Sequence, residues 1–168
     1  MVVNYAYQLY RIEDSVSSLI IGDDVMVNET LSLTNHSHLR FIVIGANSCE
    51  GTTSLVIEEC HMLRSIQISD NSFQPIPNNR KPKNAESVCT IRKCMKLFYI
   101  DFGCNSFCDY SNLILEDLKQ INSIIIGKGT FEKLPRVDIE CRSQWTIWEL
   151  AIPSLKDLLM DNRLVHIK

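Results

Sequence analysis

The stretch TSLVIEECHMLRSIQISDNSF, residues 53–73, is written again and again along this chain. It returns as SVCTIRKCMKLFYIDFGCNSF (87–107), as SNLILEDLKQINSIIIGKGTF (111–131) and as TLSLTNHSHLRFIVIGANSC (30–49). The units close on Gly22, Gly45, Ser69, Gly103 and Gly127, with a weaker echo at Asp161, so the spacings are 23, 24, 34, 24 and 34. That is one repeat, lengthened by ten residues on two occasions. A period in this range, with Leu and Ile at fixed offsets, predicts supersecondary units that stack and bury a common core.

Within residues 53–73, Leu55 and Ile57 fall on alternate positions, as do Ile66 and Ile68. Period two is the signature of a strand with one buried face. Cys60 and Leu63 lie three apart between those strands, a spacing that suits a tight turn with both side chains inward. Gly45, Gly103 and Gly127 are expected to supply positive φ where the second strand ends. Ser72, Ser106 and Thr130 are placed to satisfy backbone groups of that turn, and the aromatic that follows each of them plugs the core.

The run I-G-x-x-S-F, then C-x-x-L-x-x-I-x-I, resembles the BspA-like class of leucine-rich repeats over residues 16–131 and more weakly over 145–165. Most units carry Ser or Thr before the aromatic where that class has Ala, and the Leu55–Ile57 strand is better formed than the turn usual there. The resemblance implies a mainly β, right-handed leucine-rich-repeat solenoid with two short strands per coil and little helix. It also implies a non-catalytic scaffold for protein–protein interaction. The alternative is a fragment of a cell-surface adhesin-type repeat protein.

The chain has 168 residues, a net charge of −3 and seven cysteines. One domain, 1–168, is the expectation, and the charge offers no field for nucleic acid. No apolar run reaches the ~18 residues of a spanning helix, and the start MVVNYAYQLYRIEDS lacks the pattern of a secretory signal. Read as it stands, the chain is cytoplasmic; read as a fragment, it belongs to a cell surface. Cys60 and Cys94 share an offset with His36 and Leu118; Cys49 stands with Phe73, Phe107 and Phe131, and Cys89 with Leu31, Leu55 and Leu113. These four cysteines are core positions. Cys104 and Cys108 fit no common zinc spacing.

At the N-terminus, Tyr5, Tyr7, Leu9 and Tyr10 read as a cap or remnant coil within 1–15. Trp145, Ile147, Trp148, Ile152, Leu155, Leu158 and Met160 belong to a degenerate closing coil within 132–168. Neither end is polar, which leaves an edge for end-to-end self-association. Residues 74–87 and 132–144 read as insertion loops.

Outward positions of the second strand form columns. One holds Ile20, Val43, Gln67, Asp101, Ile125 and Leu159; the next holds Phe41, Ser65, Tyr99, Ser123 and Asp157. Beside them stand Arg40, Arg64, Phe98, Asn122 and Lys156. A concave face carrying Phe41, Arg40, Arg64, Phe98, Tyr99 and Asp101 is the candidate partner-binding site, because aromatic residues and Arg carry most binding energy at protein interfaces. No catalytic constellation emerges. His36 takes a core offset, where a satisfied buried histidine is expected. Glu58 and Glu59, like Asp23 and Asp24, are adjacent and should point to opposite sides of a strand. Gly127-Lys128-Gly129-Thr130 lacks the spacing of a phosphate loop. The sequons at Asn28 and Asn35 carry meaning only in a secreted chain. Neither a cofactor nor a metal is called for.

Overall fold

The computed structural model describes residues 1–27, 30–76, 86–132, 134, 136–140 and 164–167. Among them the only helix is a short 3-10 turn, Ala6–Arg11. The strands are β1 (Val2–Val3), β2 (Ser18–Ile21), β3 (Thr30–Thr34), β4 (Phe41–Ile44), β5 (Ser54–Glu58) and β6 (Ser65–Ile68). They continue as β7 (Val88–Arg92), β8 (Tyr99–Phe102), β9 (Asn112–Glu116), β10 (Ser123–Ile126), β11 (Arg136–Glu140) and β12 (Leu164–Ile167). The chain alternates between two parallel sheets, ordered β1-β2-β4-β6-β8-β10 and β12-β11-β9-β7-β5-β3. Equivalent residues pair without offset: Leu55 opposes Leu31 and Cys89, and Ile66 opposes Ile42 and Ile100.

The alternation in the sequence becomes the two faces of each sheet. Leu19, Ile42, Ile66, Ile100 and Ile124 from one sheet, and Leu31, Leu55, Cys89 and Leu113 from the other, are buried in a single core. The C-x-x-L turn closes as expected: Leu63 N–H donates to Cys60 O at 3.0 Å, and both side chains are fully buried. Cys49, Cys60, Cys89 and Cys94 are all core residues. Phe73 stacks on Phe107 at 4.3 Å between centroids, and Phe107 on Phe131 at 4.9 Å. Tyr110 meets Phe107 edge-on and donates its hydroxyl to Thr52 O at 2.8 Å, so this buried phenol is satisfied.

The closing glycines have a different role from the one expected. Positive φ occurs at Gly51 and Gly129, not at Gly45, Gly103 or Gly127. A Cβ on Gly103 would lie 2.5 Å from Ser69 C, and one on Gly127 2.5 Å from Cys104 N. Glycine is required there because successive repeats approach backbone to backbone. The left-handed residues lie two positions later, at Asp24, Asn47, Asn71, Asn105 and Gly129, and four later at Cys49, Phe73, Phe107 and Phe131. A third set, Asn35, Glu59, Lys93 and Asp117, turns the chain after the strands of the other sheet.

Polar side chains tie these turns together along the stack. Asn47 Nδ2 donates to Asp24 Oδ1 at 3.2 Å, Asn71 Nδ2 to Asn47 Oδ1 at 3.3 Å, and Asn105 Nδ2 to Asn71 Oδ1 at 3.3 Å. Ser48, Ser72 and Ser106 donate to the carbonyls of Gly22, Gly45 and Ser69 in the preceding repeat, at 2.7, 2.8 and 3.0 Å. Ser106 Oγ also accepts the N–H of Ser72, so the buried hydroxyl column bonds in both directions. The expected service of Ser72, Ser106 and Thr130 to turn backbone is present, and it runs between repeats.

One expectation about the ends changes. Residues 132–144, read as an insertion loop, contain β11, whose Arg136 pairs with Asn112 of β9 at the regular spacing of 24. Val137 and Ile139 alternate there as in the other strands, so the rhythm of that sheet continues to Glu140. At the other end β1 adds a strand beside β2, and Leu9, Ile12 and Val16 pack on the core, while Tyr5, Tyr7 and Tyr10 stay exposed. Most of the 74–87 insertion and the expected closing coil from Trp145 to Met160 lie outside the described residues.

Replacing Phe107 with Ala should lower folding stability by about 3–5 kcal/mol, because it removes the middle ring of the stack. Gly103→Ala should cost about 1–3 kcal/mol through the backbone clash, whereas Ser123→Ala, outside the core, should change stability by less than about 0.5 kcal/mol. Urea denaturation followed by circular dichroism checks all three.

Candidate functional site

The outward face of the β1-β2-β4-β6-β8-β10 sheet assembles the six residues singled out from the sequence. Phe41 starts β4, Ser65 starts β6 and Tyr99 starts β8, and pairing places them side by side in the order Phe41, Ser65, Tyr99, Ser123. Two residues along, Val43, Gln67, Asp101 and Ile125 form the neighbouring column. Arg40, Arg64 and Phe98 immediately precede the strands, and their backbones continue the ladder: Arg64 N–H donates to Arg40 O at 2.8 Å and Phe98 N–H to Arg64 O at 2.9 Å. Leu159, Asp157 and Lys156, assigned to the same columns, lie outside the described residues.

Large apolar groups stay exposed on this face. Phe41 keeps 43% of its surface accessible and Phe98 51%, with Ile20 exposed beside them. Arg40 and Arg64 are exposed on consecutive rungs, and neither guanidinium makes a hydrogen bond or ion pair among the described residues. Tyr99 is half-buried and donates its hydroxyl to Asp101 Oδ2 at 3.0 Å. Burial first, and then that hydrogen bond and the carboxylate charge, raise the Tyr99 phenol above its ordinary value. An open groove of about 560 Å³ adjoins the columns, lined by Val43, Ala46, Gln67, Asp70, Asp101 and Cys104 among others. Ala46, Asp70 and Cys104 were not read as site residues. They follow the strands at one phase of the repeat, and extending the column count three residues past Val43 or Gln67 would have reached them.

Other sequence candidates fall elsewhere. His36 is only half-buried, and its Nδ1, buried without a hydrogen bond, lies 3.9 Å from the Asp14 carboxylate, so it is not the satisfied core histidine expected. Asp23 accepts the N–H of Ala46 at 2.7 Å and Asp24 the amide of Asn47, so both carboxylates tie one repeat to the next. Glu58 and Glu59 do not diverge. The left-handed turn at Glu59 swings it back, and Lys93 Nζ lies 2.8 Å from Glu59 and 3.5 Å from Glu58. Arg92 completes the cluster at 2.8 Å from Glu58. In the Gly127–Thr130 segment, turns continue through Glu132 and Thr130 donates to Gly103 O.

The buried thiols of Cys49 and Cys89 are poor nucleophiles. Desolvation pushes Cys49 up to about 12 and raises Cys89 as well, so both stay protonated at neutral pH. Among the described residues no group of three or more His, Cys, Asp or Glu could hold a metal ion. No helix among them is long and apolar enough to cross a membrane. Compared with known proteins, the chain matches no family model, no curated protein and no solved structure.

The hydrogen bond from Arg92 holds the Glu58 carboxyl below its ordinary 4.5. A depressed folded-state value means that the pair's contribution is complete above 4.5 and is lost as pH falls through the lower folded value. Glu58→Gln should therefore be less stable than wild type at neutral pH and should converge with it in acid. Denaturation midpoints of the two proteins across an acid series measure that convergence.

Proposed function

We propose that this protein is a leucine-rich-repeat solenoid of the BspA-like kind that serves as a non-catalytic scaffold for protein–protein recognition. The observation that carries the reading is the set of six residues on one outward sheet face. Phe41, Phe98 and Tyr99 present aromatic surface, Arg40 and Arg64 present charge, and Asp101 sits one rung on from Gln67. These side chains have no part in the core, yet Phe41 and Phe98 stand in water on the rungs either side of Ser65. Exposed aromatic and arginine side chains grouped in this way are what protein interfaces draw their energy from. The repeat motif quoted above supports the assignment to leucine-rich repeats, and the two parallel ladders are in keeping with it.

A variant carrying Phe41→Ala, Arg64→Ala and Tyr99→Ala should keep the wild-type circular dichroism spectrum, because all three side chains lie outside the core. In affinity capture from the native cell with mass spectrometry, it should lose a partner that the wild type retains. An identical partner set for the two proteins would defeat the reading.

A further inference from the structure

Along the first outward column the side chains alternate in size: Ser18, Phe41, Ser65, Tyr99, Ser123. Adjacent strands lie about 4.8 Å apart, so the backbones of Phe41 and Tyr99 lie about 9.5 Å apart across Ser65. A ring seated above Ser65 would lie about 4.8 Å from each wall, within the separation at which aromatic pairs attract. Arg64 precedes Ser65 in the chain, with Arg40 on the adjoining rung. The far side of the notch is Gln67, on the rim of the open groove.

The charges around this notch select its occupant. Two guanidiniums on consecutive rungs repel each other, and neither has a carboxylate partner among the described residues. The next rung carries Asp101, whose charge opposes any ligand with a continuous run of anions. A nucleic acid or an anionic membrane surface would set negative charge against Asp101 as well as against the arginines. A peptide can place a carboxylate on Arg40 and Arg64 alone.

We propose that this face binds an acidic peptide segment, seating one aromatic side chain in the Ser65 notch between Phe41 and Tyr99 with a neighbouring carboxylate on Arg40 and Arg64. The inference rests on the recognition reading above and adds the chemistry of the partner.

Fluorescence anisotropy with short labelled peptides tests it, using a Glu-Trp-Glu centre against Gln-Trp-Gln and Glu-Ala-Glu centres in one flanking sequence. The Glu-Trp-Glu peptide should bind saturably and weaken with salt. Each of the other two should bind at least about tenfold more weakly, as should the Arg40→Ala/Arg64→Ala protein toward Glu-Trp-Glu. Ser65→Trp, which fills the notch from the outer face, should abolish binding while circular dichroism and the thermal midpoint stay at wild-type values. Should that variant misfold, Ser65→Leu replaces it with the same expectation. Equal binding of the Glu and Gln peptides overturns the proposal, as does undiminished binding by the notch-filled protein. Stronger binding to phosphatidylserine vesicles or to a single-stranded oligodeoxynucleotide than to Glu-Trp-Glu also overturns it. If the peptide fails while the Phe41/Arg64/Tyr99 triple variant still loses a cellular partner, the acidic-peptide proposal falls and the recognition reading stands. If both fail, both fall.

Discussion

Each repeat hydrogen-bonds to its own equivalent in the next, and that constraint governs the rest of the molecule. Gly45 N–H donates to Ile21 O at 2.8 Å, Gly103 to Ile68 O at 2.7 Å and Gly127 to Phe102 O at 2.7 Å. Pairing without offset favours a shared backbone conformation at equivalent residues, and the left-handed turn at Asp24 recurs at Asn47, Asn71, Asn105 and Gly129. Asn and Asp tolerate that region better than most residues, and they fill the places of Asp24, Asn47, Asn71 and Asn105. The phenylalanines two residues later adopt it against their own preference. Stacking of Phe73, Phe107 and Phe131 in the core offsets the strain.

The same constraint separates the positions that hold the structure from those left for the proposed recognition. Inward positions interlock across rungs, and buried hydroxyls such as Ser72 and Ser106 are bonded to adjacent repeats. Outward positions meet neighbours on their own face, as Tyr99 meets Asp101. Phe41, Ser65, Tyr99 and Ser123 are therefore free to differ in size and polarity, whereas Ile42, Ile66, Ile100 and Ile124 are the same residue. A face of uneven relief on a uniform core is the physical basis for proposing this sheet as a recognition surface.

Much of this was legible from spacing alone. The strands, the C-x-x-L turn, the buried cysteines and the outward columns all follow from period two and a fixed repeat length, since a strand alternates faces and a register without offset aligns like with like. What failed depended on contacts that spacing does not encode. Gly103 was the right residue for the wrong reason, because its requirement comes from the backbone of the preceding repeat and not from its own φ. The amide ladder through Asn47, Asn71 and Asn105 recurs visibly before S-F or S-C, yet its meaning depends on which neighbour each side chain meets. Glu58 and Glu59 were judged by strand geometry, although Glu59 lies in the turn. Arg136–Glu140 was hidden by Pro135 and its charged neighbours, which resemble a loop in composition while Val137 and Ile139 keep the strand rhythm.

One feature of the ladder bears on how such a chain can change over generations. Between β5 and β7 the sequence separation is ten residues greater than between β3 and β5, yet Ser54 still opposes Val88 and Glu58 still opposes Arg92. Extra length entered between Phe73 and Val88 without shifting the pairing on either side. Lengthening a connection costs only about 0.6 kcal/mol per doubling, whereas a one-residue slip within a strand would turn its buried side chains to water. Added length is thus tolerated in the connection between Phe73 and Val88, outside the paired strands. That junction is a natural port of entry for foreign sequence, from a short epitope to a whole inserted domain.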